Sequence, residues 1–149
     1  MNEYLQKIKR MGSIIRVRKI QYDKEFFELN QIRIEKKNLL DKLQEYQDMY
    51  CERVNESNNE RVLGNRNKLD ILEKEIERIK SEWLSTLSQI KEIEEKEKYQ
   101  EEQVRIAERN LKSIEKLVDI YKEESDLYER HEDQKIMDEI GIRRFISQE

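Results

Sequence analysis

An all-α protein is expected from this sequence: two long helices forming an antiparallel coiled-coil hairpin, the second helix longer than the first. Three observations predict it. Charged residues make up 43% of the 149-residue chain and hydrophobic ones 36%, against a usual charged share of about 25%, so no thick globular core fits. Proline is absent and glycine occurs only at Gly12, Gly64 and Gly141, which leaves almost nothing to punctuate a helix. The apolar residues recur at alternating steps of three and four, the spacing of a heptad seam. A net charge of only −4 with finely mixed signs, together with that regular spacing, argues against intrinsic disorder.

The first helix is expected over about residues 3–54. Ile8, Ile15, Tyr22, Leu29, Leu43 and Tyr50 recur every seven residues, joined by Met11, Phe26, Ile32, Leu39, Leu40 and Tyr46, and only Lys36 breaks the main row. The turn is expected over about residues 55–65, within "VNESNNERVLGNR", where asparagine, serine and glycine cluster and favour a reversal. Ser57 with Glu60 three residues on has the form of a capping box that starts the second helix early, and Asn65, just after Gly64, is the later alternative.

The second helix is expected over about residues 66–140, followed by a tail at 141–149. Its seam is Leu69, Leu72, Ile76, Ile79, Trp83, Ile90, Ile93, then Val104, Ala107, Leu111, Ile114, Val118 and Tyr121. The charges between these positions form a solvated outer face. Around Glu97 and Gln100, within "EIEEKEKYQEEQ", the seam turns polar. Two readings stay open there: a locally loose coiled coil, or a flexible point or partner contact.

The arms are unequal. With a tip near residue 60, the second helix outruns its partner at roughly residue 116 while its patterning continues to about Ile140, an unmatched length of about 35 Å. That length carries Leu117, Val118, Ile120, Tyr121, Leu127, Tyr128, Ile136, Met137 and Ile140, which on this reading lack an intramolecular partner. Burying each large apolar side chain is worth ~1.5–3 kcal/mol, and an isolated helix of this size is marginal in water. The overhang is therefore expected to dimerise or to be received by a partner, the alternative being a frayed or crystal-packed end with no specific receiver.

Several classes are disfavoured. No stretch approaches the ~20 apolar residues of a membrane-spanning helix, and "MNEYLQKIKRMGS" lacks the apolar centre of a secretory signal, so a cytoplasmic protein without direct membrane insertion is expected. Cys51 and His131 are each the only residue of their kind and do not make a typical zinc site. No G-x-x-x-x-G-K-[ST], G-x-S-x-G or H-E-x-x-H motif occurs, and a two-helix hairpin offers hardly any dry pocket for a carboxylate with a shifted pKa. Neither enzymatic activity nor a cofactor is expected. Residues 7–19, "KIKRMGSIIRVRK", hold Lys7, Lys9, Arg10, Arg16, Arg18 and Lys19 with no acid among them. The interleaved Ile8, Met11, Ile14, Ile15 and Val17 favour a protein groove as the target over nucleic acid or a membrane surface.

Two unequal antiparallel helices of this total length, with both termini at one end, resemble the FliJ and YscO proteins, the coiled-coil stalks of the type III secretion export ATPase in flagella and injectisomes. "YQDMY" (residues 46–50) resembles the Y-Q-x-x-Y near the hairpin tip of flagellar members. "LEKEIE" (72–77) resembles the start of their second helix, and "DQKIMDE" (133–139) their D-Q-K-x-M-D-E close to the C terminus. The basic start is more similar to the injectisome branch.

The resemblance implies a non-enzymatic stalk on the cytoplasmic face of the secretion apparatus, monomeric when isolated. Its joined termini would insert into the hexameric export ATPase, and it would meet the export-gate membrane protein and, in some members, substrate chaperones. Carried over by position, the gate-facing residues are Leu43, Tyr46, Tyr50 and Leu72. The ATPase-facing residues are Asp133, Gln134, Lys135, Met137, Asp138 and Glu139, to which the adjoining Lys7, Arg10, Arg16, Arg18, Tyr121 and Tyr128 are added. Two other classes compete: a homodimeric coiled-coil spacer with paired overhangs, and a peripheral adaptor that works through the basic residues 7–19.

Overall fold

The structure, a computed structural model, describes residues 2–148. It contains two helices, α1 (Glu3–Leu63) and α2 (Arg66–Gln148), and among the described residues only Asn2, Gly64 and Asn65 lie outside them. The helices run antiparallel as a hairpin, and α2 has 83 residues against 61 in α1.

The reversal is tighter than the sequence suggested. α1 continues to Leu63 instead of stopping near residue 54, and the turn is only Gly64 and Asn65. Gly64 adopts φ 73°, a left-handed conformation that glycine reaches without Cβ strain. Its N–H and that of Asn65 both donate to the Glu60 carbonyl, at 2.9 and 3.3 Å, so the end of α1 is closed in the manner of a Schellman cap. Asn65 then caps α2, its side-chain oxygen accepting from the Lys68 N–H at 3.4 Å. Of the two starts the sequence allowed, the later one occurs. Ser57 does not begin α2 but is buried within α1. The expected tail also differs, since α2 remains helical from residue 141 to Gln148.

The chain forms two compact units. One is Phe26–Gln103, which contains the turn, and the other joins residues 2–25 to 104–148. In the first, Leu29, Ile79, Ile90 and Ile93 are buried, with Ile79 fully so. The polar interruption of the seam is filled here. Lys36, the break in the α1 row, places its Nζ 3.2 Å from a carboxylate oxygen of Glu97, the break in the α2 row, and Arg33 reaches Glu97 at 3.9 Å and Glu101 at 3.3 Å. The two irregularities answer each other, so neither a loose stretch nor a missing partner is needed to explain them. Nearer the turn, Arg53 pairs with Glu75 at 3.3 Å and Arg61 with Glu73 at 3.5 Å.

In the second unit Ala107, Ile114 and Val118 are buried. Arg18 donates through Nη1 to the Asn110 carbonyl at 2.8 Å, Tyr4 and Tyr121 pack with ring centroids 6.3 Å apart, and Asn2 donates from its side-chain amide to the Ser125 hydroxyl at 2.7 Å. Asn2 also caps α1, accepting from the Tyr4 N–H at 3.0 Å. The place where α1 begins is thereby fixed opposite Ser125.

Candidate partner-binding site

Pairing of Asn2 with Ser125 defines the overhang as residues 126–148 of α2, about 34 Å of helix. It starts later than the sequence suggested. Val118 is only 7% exposed, Tyr121 packs on Tyr4, and Leu117 is half-buried. Those residues do have an intramolecular partner, because the turn lies at Gly64 instead of near residue 60 and α1 reaches correspondingly further along α2. Ile120 is exposed on the outer side of the same segment.

Beyond Ser125 the burial pattern stops. Leu127 and Tyr128 are exposed, and from Ile136 onward six large apolar side chains, Ile136, Met137, Ile140, Ile142, Phe145 and Ile146, are 43–68% exposed. At about 100° per residue, Ile136 and Ile140 lie on one side of the helix, Ile142 and Ile146 on the other, with Met137 and Phe145 between. A helix that is apolar nearly all round is normally an enclosed one. Among the described residues, nothing in the chain covers this segment.

The residues singled out for ATPase contact fall into separate groups. Lys7 holds its ammonium over the rings of Tyr4 and Tyr121, 5.7 and 5.2 Å from their centroids, which fastens the start of α1 to α2. Arg18 is engaged with the Asn110 carbonyl, while Arg10 and Arg16 face solvent. Tyr128, Asp133, Gln134, Lys135, Met137, Asp138 and Glu139 all lie on the overhang and are exposed. Gln134 donates to Asp138 at 3.0 Å and Lys135 pairs with Glu132 at 3.6 Å. Asn110 and Glu139 are about 44 Å apart along α2, so Arg18 and the overhang residues do not make one site. Sequence reasoning missed Ile142, Phe145 and Ile146. Ile142 and Ile146 continue the three-and-four spacing, but Gly141 marked them as tail.

The gate-facing set lies in the Phe26–Gln103 unit. Leu43, Tyr46 and Leu72 are half-buried seam residues, whereas Tyr50 is 39% exposed. Removal of water by neighbouring side chains, then the hydrogen-bonded carboxylate of Glu82, pushes the Tyr46 phenol above its ordinary pKa. Tyr50 lines an open cleft of about 380 Å³ with Gln47, Cys51, Lys80 and Trp83. The indole N–H of Trp83 is buried there without a hydrogen-bond partner, an arrangement that costs free energy. Of the gate-facing set, Tyr50 is the exposed member.

Among the described residues, no group of three or more His, Cys, Asp or Glu could hold a metal ion, and no helix is long and apolar enough to cross a membrane. No known family model, curated protein or solved structure matches the chain.

Proposed function

We propose that this protein is a non-enzymatic stalk and escort component of a type III protein export apparatus. In this reading the overhang, with Asp133, Gln134, Lys135, Met137, Asp138 and Glu139, enters the centre of the hexameric export ATPase. Tyr50 and the neighbouring cleft meet the export-gate membrane protein, and substrate chaperones are further partners. The supporting observation is the overhang itself: a stretch of α2 with no opposing helix, apolar on nearly every side between Ile136 and Ile146. A groove would dry one face of such a helix, but a socket dries all of them. The FliJ-like "DQKIMDE" lies within this stretch.

The stalk performs no chemistry in this account. Occupying the centre of the ring favours the assembled hexamer, and ATP hydrolysis rises because more rings are complete. A chain truncated after Ser125 tests the proposal, since everything α1 pairs with is retained. It should keep its helicity per residue and lose both co-purification with the export ATPase and stimulation of hydrolysis. If the truncated chain binds and stimulates as well as the full one, the proposal fails.

A further inference from the structure

We infer that a second copy of this chain pairs antiparallel with the overhang through its seam face, giving a weak, reversible dimer. The seam of α2 runs through Val118, Tyr121 and Ser125. The same three-and-four spacing then continues without a skip through Tyr128, Glu132, Lys135, Glu139, Ile142 and Ile146. Six consecutive positions thus keep the phase of a coiled coil after α1 has ended.

The charges on these positions choose the orientation. A parallel, in-register pair would set Glu132, Lys135 and Glu139 each against its own copy, three like-charge contacts in the seam. Reversing one helix removes all three. With Tyr128 opposite Ile146 of the second copy, the seam brings Lys135 opposite Glu139 and Glu132 opposite Ile142, each contact occurring twice. Antiparallel coiled coils also juxtapose like flank positions. On one flank Glu129 then faces Arg143 of the second copy, again twice, and Ile136 meets its own copy on the two-fold axis. Asp138 meets itself on the other flank, beside Lys135, and this contact and the two that set Glu132 against Ile142 work against pairing.

Only Tyr128, Ile142 and Ile146 are apolar among the six seam positions, so the pairing is weak. The expected Kd is on the order of 10–100 μM. The chain is then monomeric when dilute, in keeping with the sequence expectation, and dimeric when concentrated. Met137 and Ile140 face away from this seam and stay exposed in the dimer. Any receiver that encloses the whole overhang must displace the second copy first. The inference does not rest on the export reading, because a chain that failed to bind an export ATPase would still pair.

Sedimentation equilibrium on the full chain tests it. The 18.4 kDa monomer should dominate at about 1 μM and give way to a species of twice that mass by about 500 μM. Glu129 and Arg143 are about 21 Å apart along their own helix, too far to interact within one chain. Arg143→Glu should therefore weaken pairing about ten-fold, since each dimer exchanges two attractions for two repulsions. Adding Glu129→Arg should restore it to within about three-fold of the original chain. Two results would overturn the inference. One is a mass that stays monomeric throughout the range. The other is a double charge-swap chain that pairs no better than Arg143→Glu alone, which would place any self-association on another surface or in another orientation.

Discussion

Replacing Ile79 by alanine separates the covered from the uncovered part of α2. Ile79 is 0% exposed, and truncating a fully buried isoleucine costs ~2–5 kcal/mol when its surroundings relax only partly. A two-helix seam is open to water along both edges and relaxes more readily than a globular core, and alanine is a better helix former than isoleucine by ~0.4 kcal/mol. The net expectation is a loss of about 2 kcal/mol. Met137→Ala, at a side chain 68% exposed, should change stability by less than ~0.5 kcal/mol. Urea unfolding followed by circular dichroism, at about 1 μM so that self-association does not contribute, reads both variants. Equal losses for the two, or a loss below ~0.5 kcal/mol for Ile79→Ala, would refute the division of α2 into a packed seam and an uncovered overhang.

Lys36→Ala should cost roughly 1–2 kcal/mol in the same unfolding assay, because it leaves the mostly buried Glu97 carboxylate with only the longer Arg33 contact. Replacing both Lys36 and Glu97 by leucine should recover that loss or exceed the original stability, since apolar seam residues avoid desolvating the pair. Gly64→Ala should cost about 1 kcal/mol through its positive φ alone, since nothing lies within 4 Å of an added Cβ. In the folded chain Tyr46 favours its neutral form; the stabilisation this gives is complete below pH ~10 and fades as pH rises through the raised pKa. Tyr46→Phe should accordingly remove one phenol from the high-pH end of an absorbance titration while preserving helicity at neutral pH.

Much of the fold was legible because the heptad spacing survives interruption. Leu29, Ile79, Ile90, Ile93, Ala107, Ile114 and Val118 were all singled out by spacing alone and all are buried. The polar seam positions misled. Arg53, Ser57 and Glu60 carry the spacing of α1 on from Tyr50 and across residue 54, but a polar residue at such a position reads as the end of a helix until the register with the other arm is known. Arg53 is matched by Glu75 and Glu60 by Lys68, a pairing that no single helix reveals. The same blindness made Glu97 look like a gap, although its answer, Lys36, was already visible as the break in the other row.

The candidate site followed the fold. That α2 would outreach α1 was legible from the length of its patterning, while the starting point was displaced by about nine residues because it depended on where the turn lay. The end of the overhang was hidden by Gly141. Glycine weakens a helix by only ~1 kcal/mol, and the six apolar side chains from Ile136 to Ile146 straddle it without a break in helix. The cleft beside Trp83 had no sequence signal, since Gln47, Cys51 and Lys80 come together only when the two helices are in register.

Residues 126–148 are uncovered in the lone molecule, and the proposed function has another protein receive them. Amide hydrogen exchange on the dilute chain, alone and with the export ATPase, measures this directly. The account predicts fast exchange beyond Ser125 beside slow exchange at residues 104–125, and strong protection of 126–148 once the ATPase is added. Protection of the overhang equal to that of residues 104–125 in the dilute chain alone, or no change on adding the ATPase, would contradict it.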